Sequence, residues 1–354
     1  MKNRISPNKI LLVARTWSNR GNNTDFKHFF NFFPNSINIT NKETYNWDNA
    51  IYRFIRKKVN SDAYSSLSIR IELEVIKQVI IHRPKIVHYW FADHDYLFLS
   101  YLKKIFGFKL VGNFFFSNQE FEKRMPNKQH LTKLDLVTAS GQSQREYLSN
   151  FVSKEKIAYL PLGIDTNFFV PNNLKIKNLN SEKILLHVGT NRRDFSSLKK
   201  VFIKLKKLIP DLKLELVGGN IAKDIFSEID GVKFYNFLSD KSLLKVYHKA
   251  TVLILPLLEG GSSQSLNEAL ATGLPVVTNH LPNLIDYIVE DAVLLSPVGD
   301  VDMMVENCYS LFSDHAKLEN ASIKARKHSL KYDFKKIRNR IIDLYDSKLG
   351  YKII

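Results

Sequence analysis

The sequence contains one cysteine, Cys308, and no long run of apolar residues. A single thiol excludes an intramolecular disulfide and any metal site built from several cysteines, and it fits a reducing cytoplasm. The chain starts with basic residues, but its apolar run from Ile10 to Ala14 is too short for a signal peptide. No window approaches the length of a membrane-spanning helix. We therefore expect a cytoplasmic protein, either soluble or attached peripherally to a membrane.

Acidic side chains are also scarce: 35 Asp and Glu stand against 52 Lys and Arg, a net charge of +17. Residues 1–165 hold 25 basic and 14 acidic residues, so this half has most of the excess. A basic half favours an anionic neighbour such as a membrane surface, lipid phosphates or nucleic acid. A lysine-rich proteome explains the excess equally well, and the abundance of Asn and Ile agrees with that alternative.

Short apolar runs rich in Val, Ile and Leu recur along the 354 residues, separated by longer helical patterns. Such strands belong to sheets covered on both faces, and helices between them imply parallel crossovers. Two series in tandem predict two Rossmann-like α/β domains, a polar linker at 171–183 and a last helix from Phe334 to Ser347. The runs are 9–14, 36–40, 85–90, 109–114, 135–140 and 156–160, then 183–188, 212–217, 233–236, 251–255, 275–278 and 292–295.

Glycine, serine and acidic residues follow the run TVLIL at 251–255. In doubly wound sheets, ligands bind beyond the carboxyl ends of strands, in the loops that open the next helix. Free N–H groups and the helix dipole favour an anion there. The residues of this segment are Gly260, Gly261, Ser262 and Ser263. Glu268, further along the helix, suits a vicinal diol such as that of ribose. The alternative is a helix capped by Ser263, with surface glutamates.

Other nucleotide and metal motifs are absent from the sequence. There is no GxxxxGK[ST] and no GxGxxG, although LVGGN (216–220) follows a strand-like run. No HExxH or similar spacing is present, so we expect no metal; a metal between His88 and His94 is the weaker interpretation. No DNA- or RNA-binding motif accompanies the basic charge, so nucleic acid is not an expected partner.

Four further segments of the sequence are informative. They are 134–171, which includes LPLGIDTNFFVP, then 183–205, 232–279, which includes LILPLLEGGSSQSLNEALATGLPVVTN, and 332–345. These segments resemble the retaining GT4-type glycosyltransferases (glycosyl transferases group 1), which have the GT-B fold. The first half is similar only in its strand order and in IVHYWFA (86–92).

The resemblance implies two Rossmann-like domains that face each other across a cleft. The acceptor-binding domain would be 1–167 and the donor-binding domain 168–335, with a helix and tail at 336–354 packing back on the first domain.

The resemblance also implies roles for two acids, since the family uses paired glutamates for the donor sugar and the nucleotide ribose. Glu268 matches the ribose-binding member. The usual spacing has one residue fewer than separates Glu259 from Glu268, so strict counting places Gly260 at the sugar position. A one-residue insertion restores Glu259, which is the preferred assignment. Gln264 and Ser265 complete the expected donor-binding segment.

The expected phosphate loop departs from the family pattern. The family has Gly-Arg after the first strand of the donor domain and a Lys several residues later, whereas here Gly189 is followed by Thr190. Counting back from Leu198 places Arg193 at the lysine position, and Arg192 is available to replace the missing arginine. The planar fork of arginine suits phosphate oxygens. Two solvated surface arginines are the alternative.

Candidates in the first domain are fewer. Gly21, in VARTWSNRGNN (13–23), suits close approach of a ligand to the backbone or marks an ordinary turn. Where the family often has a histidine on a later strand, this chain has Asn113. The acceptor-side candidates are His88, His94 and Asp95. His88 suits the core equally well, and no catalytic base is assigned.

The resemblance implies retaining transfer of a sugar from a nucleotide-diphosphate donor, without a metal, to a lipid-linked or polysaccharide acceptor in bacterial surface-glycan synthesis. Arg193 and Glu259 are the expected catalytic residues, Arg193 by stabilising the leaving diphosphate. Because the Gly-Arg arginine and the first-domain histidine are missing, a non-catalytic GT-B-like protein that binds a glycan or a partner is the alternative.

A basic amphipathic pattern at 49–60, NAIYRFIRKKVN, makes an anionic membrane surface a further candidate partner. The alternative is an ordinary Rossmann helix whose apolar face packs on the sheet.

Overall fold

The computed structural model describes residues 3–16, 25–42, 62–172, 182–236, 238–260 and 262–354. Gly21, Gly261 and the predicted helix at 49–60 lie outside these residues, as does most of the predicted linker at 171–183. The chain forms two compact units. Unit 1 contains the described residues up to Pro161 together with Lys335–Ile354, and unit 2 is Leu162–Phe334.

Unit 1 is built on a six-stranded parallel sheet. A short strand β1 (Asn3–Ile5) precedes β2 (Ile10–Val13), β3 (Ile37–Ile39), β4 (Ile86–Tyr89), β5 (Lys109–Phe114), β6 (Leu136–Ala139) and β7 (Ile157–Tyr159). The sheet order is β3-β2-β4-β5-β6-β7. Strands β2, β4 and β6 are buried at every position, which explains why their sequences are continuously apolar rather than alternating.

Helices connect these strands and cover the sheet. They are α1 (Asp25–Asn31), α2 (Ser66–His82), α3 (Ala92–Asp95), α4 (Lys103–Phe106), α5 (Asn118–Arg124) and α6 (Gln142–Leu148), with 3-10 turns at Pro7–Lys9, Leu99–Leu102, Gln129–Lys133 and Lys154–Lys156. Helix α2 begins at a capping box, in which Ser65 accepts the N–H of Ser68 and Ser68 accepts that of Ser65. It ends at Arg83 in the left-handed conformation.

Unit 2 has a second six-stranded parallel sheet. Its strands are β8 (Ile184–Val188), β9 (Lys213–Val217), β10 (Val232–Tyr235), β11 (Val252–Leu255), β12 (Val276–Asn279) and β13 (Val293–Ser296). The order β10-β9-β8-β11-β12-β13 is that of a doubly wound Rossmann sheet. The direction of winding reverses between β8 and β11, and ligands of such sheets bind at this switch point.

The helices of unit 2 are α7 (Phe195–Leu208), α8 (Asn220–Phe226), α9 (Asp240–Lys249), α10 (Gln264–Ala271), α11 (Val301–Ser313) and α12 (His315–Ser329), with 3-10 turns at Pro282–Tyr287 and Leu330–Tyr332. Each of the twelve apolar runs singled out in the sequence overlaps a strand, so the predicted pair of Rossmann-like sheets is confirmed.

The last helix, α13 (Phe334–Leu349), packs on unit 1, as predicted. Its inner face buries Ile337, Ile341 and Tyr345, and the Tyr345 ring stacks on Phe33 with 5.6 Å between centroids. The final strand β14 (Tyr351–Ile353) then pairs in parallel with β1, a two-stranded sheet that the sequence analysis missed. Among the described residues, no helix has the length and apolar character needed to span a bilayer.

Candidate functional site

The loops that follow β8 and β11 pair with each other at the switch point of unit 2. Arg193 and Leu257 form an antiparallel bridge, and the Asp194 N–H donates to the Pro256 carbonyl at 2.9 Å. The Leu258 N–H also donates to the carbonyl of Arg192 at 3.1 Å. These bonds set the arginine pair of one loop beside the glycine- and serine-rich segment of the other.

Helix α10 presents its first turn to this place. Ser263 caps the helix by accepting the Leu266 N–H, and its hydroxyl lies 3.1 Å from that of Ser265. Ser265 and Glu268 are both buried, at 6% and 7% exposed. The capped helix therefore holds both side chains in the interior rather than in solvent.

Arg193 is the cation at the centre of this arrangement. Its Nη2 donates to the Ser265 hydroxyl at 2.8 Å and to the Val188 carbonyl at 3.1 Å. Among the described residues, no carboxylate forms an ion pair with it. Burial, and to a smaller extent the charge of Arg192, lowers the pKa of Arg193 to about 10, so the side chain remains a cation at neutral pH. A half-buried cation held by neutral groups is suited to an anionic ligand.

Gly189 makes room for the Arg193 side chain. Its φ of +97° is strained for other residues, and a Cβ built there would lie 3.0 Å from Arg193 Nη2. Thr190, the next residue, is exposed. Both its backbone conformation and the closeness of Arg193 therefore favour glycine at this position of the predicted phosphate loop.

Arg192 and Glu259 face each other across the paired loops. Arg192 adopts the left-handed conformation, with φ of +59°, and its Nε lies 3.7 Å from Glu259 Oε1. The Glu259 side chain is 32% exposed, so the carboxylate remains accessible at the rim. Gly260, the alternative sugar-binding position, lies against Leu281: a Cβ built at Gly260 would be 3.0 Å from Leu281 Cδ1.

Glu268 has a partner that the sequence analysis did not identify. The Tyr247 hydroxyl, on α9, donates to Glu268 Oε2 at 2.8 Å. Burial, reinforced by the charge of Glu268, raises the pKa of Tyr247 well above its usual value, so it stays a donor. The two residues lie on different helices, and no local pattern in the sequence connects them.

Two more buried side chains fix the loops. Asn279, at the end of β12, accepts the Leu257 N–H at 2.6 Å and donates to the Pro297 carbonyl at 2.9 Å. His187, on β8, has one ring nitrogen 2.9 Å from the Ile254 carbonyl. Burial lowers the pKa of His187 to about 3, which keeps it neutral. Both positions support the loops without facing solvent.

The amide of Gln264, the first residue of α10, is buried, and neither of its polar atoms has a hydrogen-bond partner among the described residues. Ser262 is half-buried beside it.

The structure thus groups most of the predicted donor-binding residues at one end of the sheet. They are Gly189, Thr190, Arg192, Arg193, Glu259, Gly260, Ser262, Ser263, Gln264, Ser265 and Glu268.

The acceptor-side candidates lie in unit 1, and two of the three are buried. The ring nitrogens of His88 lie 2.6 Å from the Tyr345 hydroxyl and 2.8 Å from Asn113 Oδ1, and burial lowers its pKa to about 4. Asp95 is held by an ion pair with Arg15. Both therefore serve the interior of the unit, whereas His94 is half-buried. No grouping of His, Cys, Asp and Glu in the described part of the chain has the arrangement of a metal site.

Residues 182–314 match the family model described as Glycosyl transferases group 1. A curated relative, MMP alpha-(1->4)-mannosyltransferase of Mycolicibacterium hassiacum, is 26% identical over 233 residues, which are 61% of this chain and 54% of the relative. Sulfoquinovosyl transferase SQD2 of Arabidopsis thaliana is 28% identical over 203 residues, covering 50% and 38%. The matches thus span about half or less of these relatives.

Solved structures agree over almost the whole chain. Anabaena Alr3699/HepE, solved in complex with UDP and glucose, superposes with a TM-score of 0.69 at 14% identity, covering 96% of this chain and 99% of that one. A glycosyltransferase from Rickettsia africae gives the same TM-score and identity, with coverage of 96% and 98%. At these identities the likeness shows the fold, which is that of GT-B glycosyltransferases.

Proposed function

We propose that the protein is a glycosyltransferase that binds a nucleotide-diphosphate sugar at the switch point of unit 2. The observation that supports this most is the position of Arg193, a half-buried cation that hydrogen-bonds to Ser265 and has no acidic partner among the described residues. It lies within the segment that matches Glycosyl transferases group 1.

In this proposal the diphosphate binds beside Arg193 and the first turn of α10, which are hydrogen-bonded to each other through Ser265. Breaking the bond between the sugar and the diphosphate leaves negative charge on the phosphate oxygens, and the guanidinium and the helix N-terminus stabilise that charge. Both donors are already in place, so little reorganisation is needed in the transition state. Transfer with retention and without a metal is part of the proposal.

The two glutamates take the two sugars of the donor. Glu268, held by Tyr247, binds the ribose hydroxyls. Glu259 binds the transferred sugar, because its carboxylate is accessible whereas Gly260 has no side chain and packs towards Leu281. The ion pair with Arg192 holds Glu259 near the loop of Arg193.

We infer a lipid-linked or glycan acceptor, and a role in surface-glycan synthesis on the cytoplasmic side of a membrane. The curated relatives are named for transfer of mannose and of sulfoquinovose, so the identity of the sugar does not follow from them. HepE was solved with UDP and glucose, which makes UDP-sugars the first donors to test.

A transfer assay tests the proposal. Labelled UDP- and GDP-sugars are incubated with the protein and a lipid extract, with and without EDTA, and the anomeric configuration of the product is determined by NMR. We expect transfer that survives EDTA and gives the same configuration as the donor. A folded protein that binds nucleotide-sugars but transfers none would favour the non-catalytic alternative, and loss of activity with EDTA would contradict metal-independent transfer.

A further inference from the structure

Unit 1 exposes a group of large apolar side chains on one flank of α2 and on the segment after α3. This group, called the apolar surface below, consists of Leu73, Ile80, Ile81, Phe98, Tyr101 and Ile105. Tyr101 and Ile105 are 77% and 71% exposed, which leaves nearly all of both side chains in water. Exposed apolar residues are ordinary when scattered singly, whereas these six are confined to one helix and the one segment held beside it.

Contacts at both ends hold the segment 97–106 against α2. The buried carboxylate of Glu72 accepts the N–H groups of Leu97, Phe98 and Leu99 at 3.1, 2.6 and 2.7 Å. Near the end of the helix, the Arg83 guanidinium lies over the Phe106 ring, 4.4 Å from its centroid. Because a helix rises about 1.5 Å per residue, the two contacts imply that segment and helix run side by side for about 16 Å.

The inward side chains of the same segment are used by the core. Leu99 is fully buried, and Leu102 and Phe106 pack against the main core cluster of unit 1. The backbone is thus fixed from inside, and Tyr101 and Ile105 are held outward. They cannot turn in without displacing the side chains that anchor the segment.

Basic residues surround the apolar surface. Lys77, Arg83, Lys85 and Lys104 are exposed, and Lys109 is half-buried. Acids nearby are buried or already bound: Glu74 is 8% exposed and pairs with Lys77 at 3.3 Å. Asp135 pairs with Lys103 at 2.7 Å. Glu72, Asp93 and Asp95, the remaining acids of residues 66–109, are all buried. The surface is therefore apolar at its centre and positive around it.

We propose that the apolar surface docks unit 1 onto an anionic lipid bilayer. Tyrosine with aliphatic neighbours suits the boundary between headgroups and acyl chains, where apolar side chains enter by about 5–10 Å. The surrounding lysines and arginine lie at the level of the lipid phosphates and attract them. This inference goes beyond the proposed chemistry, which concerns unit 2, and it does not involve residues 49–60.

A bilayer fits the charge better than a second copy of the chain. Two copies meeting through this surface would bring Lys77, Arg83, Lys85 and Lys104 of each copy together, and like charges oppose that association. A neutral bilayer would satisfy the apolar residues alone. An anionic bilayer satisfies both the apolar and the basic residues.

Cosedimentation with vesicles at low salt tests the proposal. The vesicles contain phosphatidylcholine either alone or with phosphatidylglycerol, and the full chain is compared with the double variant Tyr101→Ser/Ile105→Ser, with Lys104→Ala, and with Ile323→Ser. Ile323, on α12 of unit 2, is 59% exposed and serves as the matched control. Circular dichroism and nucleotide-sugar binding establish that each variant is folded.

We expect binding that requires phosphatidylglycerol and weakens with salt. The partition coefficient onto anionic vesicles should fall about tenfold or more in the double variant, because two apolar side chains are no longer buried in the bilayer. It should fall about fivefold in Lys104→Ala, which loses one positive charge. Ile323→Ser should bind as the wild type does. Equal binding of wild type and double variant would overturn the proposal, as would no binding to anionic vesicles or a dimer that the double variant converts to a monomer. All the variants should bind nucleotide-sugars as the wild type does. A result that overturns the bilayer proposal therefore leaves the proposed function unaffected.

Discussion

The Tyr247 hydroxyl donates to Glu268 across 2.8 Å in the interior of unit 2, and this bond fixes the orientation of the carboxylate. We predict that Glu268→Ala weakens donor binding about ten- to a hundredfold, because a hydrogen bond to a charged group contributes about 1.5–3 kcal/mol. Isothermal titration calorimetry measures the dissociation constant. Glu306→Ala, at an exposed glutamate of α11, is the control and should bind normally. An unchanged dissociation constant in folded Glu268→Ala would reject the ribose role.

In this account Tyr247 is a positioning residue, because it holds the carboxylate of Glu268. Replacing it by Phe keeps the ring in its buried place but removes the donor to a buried carboxylate, so we expect a loss of about 1–3 kcal/mol in the free energy of unfolding. Urea unfolding followed by fluorescence measures this loss. Donor affinity should fall as well, yet by less than in Glu268→Ala. A variant as stable as the wild type would show that the hydrogen bond contributes little.

Arg193 and Arg192 should differ in their kinetic effects. Arg193 points to Ser265 at the first turn of α10, whereas Arg192 pairs with Glu259. Because charge develops on the diphosphate as the bond breaks, Arg193→Ala should lower kcat more than it raises the donor KM. Arg192→Ala should have the smaller effect on kcat. Steady-state kinetics of both variants decide this, and the opposite ranking would mean that the phosphate contacts are assigned to the wrong arginine.

At the scale of elements, α13 joins unit 1 through a buried bond between Tyr345 and His88 of β4. The pKa of His88 is about 4 when folded and about 6.5 when exposed, so the unfolded chain binds the proton more tightly. The stabilisation from neutral His88 is complete above pH 6.5 and is lost as the pH falls towards 4.

We therefore predict that the free energy of unfolding of the wild type falls more steeply between pH 6.5 and 4 than that of His88→Gln. The difference between the two proteins isolates this histidine, because the other titrating groups are shared. Urea titrations at a series of pH values provide the comparison. Parallel pH profiles would show that His88 does not titrate on unfolding.

Elements with a local signal could be predicted from the sequence, and those that depend on distant pairs could not. The strands of both sheets were predicted because buried parallel strands are continuously apolar. The pairing of β1 with β14 was missed because NRI and YKI are short and partly polar, and their partners lie at opposite ends of the chain.

The candidate site divides in the same way. The glycines, serines and acids after β11 have a local signature, whereas Tyr247 meets Glu268 only through the packing of α9 against α10. The Arg192–Glu259 contact depends on two loops that are far apart in sequence but follow adjacent strands. Sequence spacing alone also left Glu259 and Gly260 as alternatives.

At the scale of the whole molecule, the two units divide the proposed work. Unit 2 contains the segment that matches Glycosyl transferases group 1 and the candidate donor site. Unit 1 has the more basic sequence and the apolar surface. The account therefore requires above all that unit 2 bind a nucleotide-sugar, since the chemistry depends on it.

Calorimetric titration of the wild-type protein with UDP-, GDP- and ADP-sugars tests this requirement most directly. We expect at least one of them to bind, with affinity reduced in Arg193→Ala and Glu268→Ala but retained in Glu306→Ala. The same ligand at about a hundred times its dissociation constant should stabilise the fold by about 2.7 kcal/mol and raise Tm. If no nucleotide-sugar binds the folded wild type, or if one binds equally well to Arg193→Ala and Glu268→Ala, the proposed donor site is contradicted.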